Sequence, residues 1–182
     1  GRSNEFTTLY VLETIGKLQE LGVEVKGDGR IRNLLEKALE YSDNAIERRY
    51  GKLLEQSKKN QLDLDKDQLN RIDAYYLFVR SMYREIEINA GAREANVYYL
   101  NQAEKYWLNK RIYIQGMLAK TLKNRGNAEV ARNILRSLLE RSIFNEELGR
   151  YWKQNNGYHW SEFPIETQAM LIDAFHSIHQ DE

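Results

Sequence analysis

Apolar residues recur at intervals of three and four along almost the whole chain, and that spacing admits a helical bundle far more readily than any sheet. Phe6, Leu9, Leu12, Ile15, Leu18 and Leu21 form the first such stripe. Gly22 follows it, where a left-handed residue is wanted after a helix. After the turn Gly27-Asp28-Gly29, the residues Ile31, Leu34, Leu35, Ala38, Leu39, Ala45, Ile46, Leu53 and Leu54 trace a long second helix. Gly51, or the polar run Ser42-Asp43-Asn44, is where it bends or splits. Residues 58–66 are polar and read as a loop. Asp65 and Gln68, three apart, are placed to act as reciprocal caps for a third helix through Leu69, Ile72, Tyr76, Val79 and Tyr83.

Residues 86–93 read as a connection through Asn89-Ala90-Gly91. A fourth helix then sets Tyr99, Leu100, Ala103, Tyr106 and Trp107 on one broad face. Ile114, Leu118 and Leu122 mark a fifth, closed by Gly126, and Asn127 caps a sixth holding Ala131, Ile134, Leu135, Leu138 and Leu139. So short a turn makes an antiparallel hairpin. The single proline, Pro164, opens a seventh helix running to Ile178, since its missing N–H costs nothing in a first turn. No sustained alternation argues for a sheet, with Tyr158-His159-Trp160 the one candidate for a short extended piece.

Composition narrows the function. The 182 residues suit one domain, 1–182, able to bury roughly 70% of its unfolded surface. Lys and Arg number 27 and so do Asp and Glu, so the chain lacks the basic excess that neutralising a nucleic-acid backbone requires. No apolar run approaches the roughly 18 residues of a membrane span, so no direct membrane insertion is expected of this segment. There is no cysteine and no Asn-x-Ser/Thr acceptor. Gly-rich phosphate loops, nucleophile elbows and His-Glu-x-x-His are missing too, so the chain reads as non-catalytic and without a cofactor.

Residues 144–163 form an aromatic-rich loop before the seventh helix. Tyr151, Trp152, Tyr158, His159 and Trp160 are its candidates for an interaction surface. The competing account, that ring packing holds the loop down, is preferred for His159 and its neighbours. Asp173, His176 and His179 share a helical face at metal-ligand spacing, yet a solvated helix end accounts for them better, and no metal site is assigned. Glu166, in the first turn of its helix, complements the helix dipole.

Two stretches resemble one family. Tyr151-Trp152 and Tyr158-His159-Trp160 followed by Pro164-Ile-Glu-Thr-Gln-Ala resemble the end of the thioester-type helical domain of bacterial α2-macroglobulin-like proteins. Phe6-Thr-Thr-Leu-Tyr-Val-Leu-Glu-Thr-Ile-Gly-Lys-Leu is similar to an earlier helix of that domain, in the right order. The resemblance implies an all-α fold, a partial α/α toroid of antiparallel helix hairpins with about seven helices, cut from a longer exported chain, periplasmic or at the cell surface. Within it the seventh helix, apolar nearly all round apart from Glu166, Thr167, Asp173 and Ser177, is expected on the inner ring.

The family's covalent chemistry needs a Cys, and a His between the two matched regions; this chain has no Cys, and residues 1–158 have no His. The resemblance therefore implies a thioester-less member that inhibits peptidases by conformational trapping, with other domains of the parent chain and peptidases as partners. Two alternatives stand beside it. Pairs of helices about 35 residues long, locally over residues 124–141, suggest a tetratricopeptide-like interaction module. An α/α-toroid glycosidase is the third, and it requires two paired carboxylates in a deep pocket.

Overall fold

The computed structural model describes residues 4–24, 27, 29–60, 62–153 and 163–179. Its described residues form seven α-helices and one two-stranded hairpin, an all-α fold. Contacts gather in two compact units, Gly1–Gln102 and Ala103–Glu182, inside the span read from sequence as one domain.

In the first unit, α1 (Glu5–Glu20) begins at Asn4, whose side chain accepts from the Thr7 N–H, and stops before Gly22 at φ 83°. α2 (Gly29–Asn60) runs 32 residues without a break. Neither Gly51 nor the Ser42-Asp43-Asn44 run interrupts it. Those polar groups have partners that leave the helix intact: Ser42 Oγ donates back to the Ala38 carbonyl at 2.9 Å, and Asp43 turns inward to α3.

α3 (Arg71–Ser81) starts later than the sequence suggests. Its cap is Asn70, with extended backbone and a side-chain oxygen that accepts from both Ile72 and Asp73 at 3.0 Å. Asp65 and Gln68 do not cap it; the Gln68 N–H donates instead to Gln102 Oε1 on α4 (Ala90–Tyr106). An Asn in contact with two orphan N–H groups outcompetes a capping pair placed five residues upstream. α4 opens at Asn89, whose Oδ1 accepts from Ala92 at 2.8 Å. It gives way at Trp107–Asn109 to a single 3-10 turn.

In the second unit, α5 (Ile112–Asn124) and α6 (Ala128–Glu140) are joined by a turn that the sequence specifies residue by residue. Gly126 takes φ 90°, its N–H bonds the Lys123 carbonyl, and the Asn127 N–H bonds the Leu122 carbonyl at 2.8 Å. That is the paired closure of a left-handed helix end. Asn127 then caps α6 by accepting from Val130. Ala131, Ile134, Leu135 and Leu138 bury one face of α6.

A hairpin follows that the helical period did not reveal. β1 (Ile143–Asn145) pairs antiparallel with β2 (Gly149–Tyr151). Asn145 Oδ1 accepts from the N–H groups of Glu147 and Leu148, and Gly149 sits at φ 71°, the composition of a three-residue turn. Strands of three residues are too short to show a period of two. Finally α7 (Pro164–His179) packs on α5, where Gly116 gives it room: a Cβ there would lie 3.0 Å from Leu171 and 3.1 Å from Met170.

Inner helices are not the ones apolarity selected. Every residue from Asp73 to Ser81 of α3 is buried, as is every residue from Tyr113 to Leu122 of α5. α7, expected to be enclosed, has an open face instead, with Ile165 81% and Ile172 66% exposed and Ala169 and His176 beside them. Two of the residues assigned to its wet side are placed otherwise. Thr167 is fully buried with its hydroxyl on the Phe163 carbonyl, and Asp173 binds Lys120 Nζ at 2.8 Å. Buried polar groups with partners look like surface residues in a hydropathy pattern, which hides a central helix.

Candidate functional site

Of the five aromatic-surface candidates, two lie among the described residues. Trp152 follows β2 and is almost wholly buried. Its indole N–H donates to the Leu138 carbonyl of α6 at 2.7 Å, and its ring stacks on Phe175 of α7 with centroids 5.6 Å apart. Gln168 of α7 clasps the same backbone, donating to the Trp152 carbonyl at 2.9 Å and accepting from its N–H at 3.4 Å. Trp152 is thus a staple between helices and not part of an accessible surface. A ring with one polar handle serves that role because burial and a hydrogen bond are satisfied together. Tyr151 is half-buried in β2, opposite Ile143. Tyr158, His159 and Trp160 lie outside the described residues.

Phe144, on β1, is the most exposed aromatic among the described residues of this region, and sequence reasoning did not single it out. It is 66% exposed, with the Arg150 guanidinium 5.8 Å from its ring centre across the strand pair. Leu148 at the turn is 74% exposed. Glu166 is exposed in the first turn of α7. Among the described residues no three His, Asp or Glu side chains gather as metal ligands. Asp173 is engaged by Lys120, and the His179 side chain lies outside the described residues.

The strongest polar constellations are in the first unit, and two arginines organise them. Arg80 of α3 is 1% exposed and uses all five of its N–H groups. Nε and Nη2 fork onto the two Asp43 oxygens at 3.1 and 3.2 Å. The rest reach the carbonyls of Tyr83, Ile86 and Glu87 at 3.2, 2.9 and 2.7 Å. Asp43 in turn accepts from Tyr76 Oη at 2.7 Å and the Asn89 N–H at 3.0 Å. Burial first, and then the Asp43 charge, push the Tyr76 hydroxyl far above the ordinary phenol range. With every donor and acceptor spoken for, this knot has no free valence to offer a substrate. What it does is hold the α3–α4 connection onto α2.

Arg49 of α2 makes the second cluster. Nε meets Asp73 Oδ1 at 2.6 Å and Nη1 meets Glu5 Oε2 at 2.5 Å, so one guanidinium joins α1, α2 and α3. The pair affects its members differently. Asp73 is fully buried, and desolvation raises its pKa despite the pull of Arg49. Arg49 keeps 24% of its side chain in water; desolvation works to lower its pKa, but Asp73 and Glu5 together prevail and raise it. Unlike the first knot this one is incomplete, since Glu5 Oε1 and Arg49 Nη2 have no partner among the described residues.

Pairs separated by 24 and 44 positions leave no signature in a local pattern. Nothing in either cluster sets up a nucleophile beside a base. No protein-family model, curated protein or solved structure matches the chain.

Proposed function

We propose that this chain is a non-catalytic helical domain, part of an α/α toroid, from a bacterial, exported α2-macroglobulin-like inhibitor of peptidases. The observation that carries the reading is the aromatic segment leading into Pro164-Ile-Glu-Thr-Gln-Ala, together with the separate match over Phe6 to Leu18. Two features agree with it. Phe6 to Leu18 lies in α1, the Pro164-Ile-Glu-Thr-Gln-Ala part of the other match lies in α7, and Pro164 stands at the first position of its helix. These residues hold no Cys to form a thioester, and the reading is of capture by shape, without a covalent bond from this segment. Cleavage of a bait elsewhere in the parent alters the contacts of this domain and shifts the population towards a closed form enclosing the peptidase.

The parent protein tests this. Limited proteolysis is expected to reduce its hydrodynamic size, and the bound peptidase to go on cleaving small substrates while losing protein-sized ones. An unchanged size together with unimpeded cleavage of large substrates would remove the trapping mechanism. The tetratricopeptide-like alternative draws on the tight α5–α6 hairpin and the open apolar face of α7. A peptide held against α7 with no effect on any peptidase would favour it.

A further inference from the structure

The two arginines of the first unit hold their aspartates differently. Arg80 closes both prongs of its fork on Asp43, with Nε on one oxygen at 3.1 Å and Nη2 on the other at 3.2 Å. Arg49 closes one prong on Asp73, with Nε on Oδ1 at 2.6 Å. Nη2 shares an edge of the guanidinium with Nε, so Asp73 Oδ2 is the acceptor that a fork would offer it. That second prong is not made. Nη2 and Oδ2 are both without a partner among the described residues. A third such atom belongs to the same cluster: Glu5 Oε1, left over when Oε2 takes Nη1 at 2.5 Å.

A buried donor or acceptor that meets nothing loses what water gave it, and the loss is greater where the group is ionised. The Asp73 side chain is 0% exposed, and all three atoms are shut off from bulk solvent. Their types define what would satisfy them. One is an N–H donor and two are carboxylate acceptors, so the complement accepts one hydrogen bond and donates two. A metal ion accepts none and meets a guanidinium. An ammonium donates but cannot accept from Nη2, and an anion accepts but faces two carboxylates. Water does both, and three bonds are the usual complement of a buried one.

We propose that the Arg49–Glu5–Asp73 cluster is a binding site for one internal water molecule. It accepts from Arg49 Nη2 and donates to Asp73 Oδ2 and Glu5 Oε1, and so joins α1, α2 and α3 at one shared centre. The single-pronged contact is then a fork with water in its second prong, nearly as favourable in enthalpy as the direct bond. Arg49 and Glu5 keep 24% and 20% of their side chains in solvent, which gives the water a way in beside the first turn of α1. The competitor for Oδ2 is Tyr99 of α4. Burial first, and then the charge of Asp73, hold its phenol above the ordinary range, so its hydroxyl feels that carboxylate. The site goes beyond the peptidase-inhibitor reading and stands independently of it.

A high-resolution crystal structure of the intact 182-residue chain tests this directly. Density for one water is expected within about 2.6–3.2 Å of all three atoms. In solution, NMR should show cross-peaks between water and the non-exchanging β protons of Asp73, with the sign of a long-lived bound molecule. Tyr99→Phe, which removes the one hydroxyl able to relay them, should leave those cross-peaks in place. Glu5→Ala takes away one of the three anchors and should lose them, with circular dichroism showing the native helix content. The crystal structure of the unaltered chain makes the test without any variant. Arg49 Nη2 bonded directly to Asp73 Oδ2, the Tyr99 hydroxyl seated on Oδ2 in place of water, density that refines as an ion, or cross-peaks that vanish in Tyr99→Phe would each overturn the proposal.

Discussion

Replacing Arg49 with Met keeps the aliphatic stem and removes the charge that stands between Glu5 and Asp73. Two carboxylates then share a site with no cation, and one of them, Asp73, is fully buried. Unit charges about 4 Å apart at an effective dielectric near 20 interact by about 4 kcal/mol. Breaking a buried pair by deleting one partner costs about 3–5 kcal/mol, much of it from the stranded charge. The loss at pH 7 should fall in that range.

Its pH dependence has a definite sign. Asp73 already has a raised pKa from burial, and losing Arg49 raises it further. A carboxyl whose folded pKa exceeds its unfolded value, near 3.9, holds its proton more tightly when folded. Acidification from neutral towards that unfolded value therefore adds stability to the variant. Each unit of further rise returns about 1.4 kcal/mol once the group is protonated. Urea unfolding at pH 7 and pH 5 reads this directly: the deficit should be smaller at pH 5. Arg49→Lys, which keeps the charge but not the fork, should fall between. A deficit under about 1 kcal/mol at pH 7, or one equal at both pH values, would show that the triad does not act as a charge balance.

Arg80→Met should cost more than Arg49→Met, above about 4 kcal/mol, because it strands Asp43 and three carbonyls at once; hydrogen exchange should accelerate over residues 82–89, and unchanged protection there would contradict the role given to the knot. Trp152→Phe keeps the stack on Phe175 and loses the bond to Leu138, for about 1–1.5 kcal/mol in thermal unfolding. Gly126→Ala, at φ 90°, should destabilise by about 1 kcal/mol or more. Gly51→Ala, in open space within α2, should stabilise by about 0.5–1 kcal/mol. Equal signs for the two glycines would refute the assignment of their backbone roles.

How far the sequence carries depends on the range of the interaction. α1, α5, α6 and α7 could be read almost to the residue, because a helix is dictated by contacts three and four positions apart and by caps one turn long. Asn127 and Gly126 show this best, since every group that shapes their turn lies within five residues. The start of α3 is not fixed locally, because Asp65 and Gln68 satisfy the same local rule as Asn70 and only the fold chooses between them. The hairpin at 143–151 leaves no sequence signal because three-residue strands are shorter than the period that would announce them.

Within the site the same division holds. That Trp152 is an aromatic of consequence was legible; that it faces inward onto Leu138 and Phe175 was decided by where α6 and α7 come to lie. By itself the sequence determined an all-α fold of about seven helices, the tight α5–α6 turn, and the absence of cysteine from these residues. Only the tertiary structure decided which helices are central. α3 and α5 are enclosed while carrying Asp73, Arg80, Gln115 and Lys120, and a buried polar group is tolerated only when a partner, here often from a distant part of the chain, meets it.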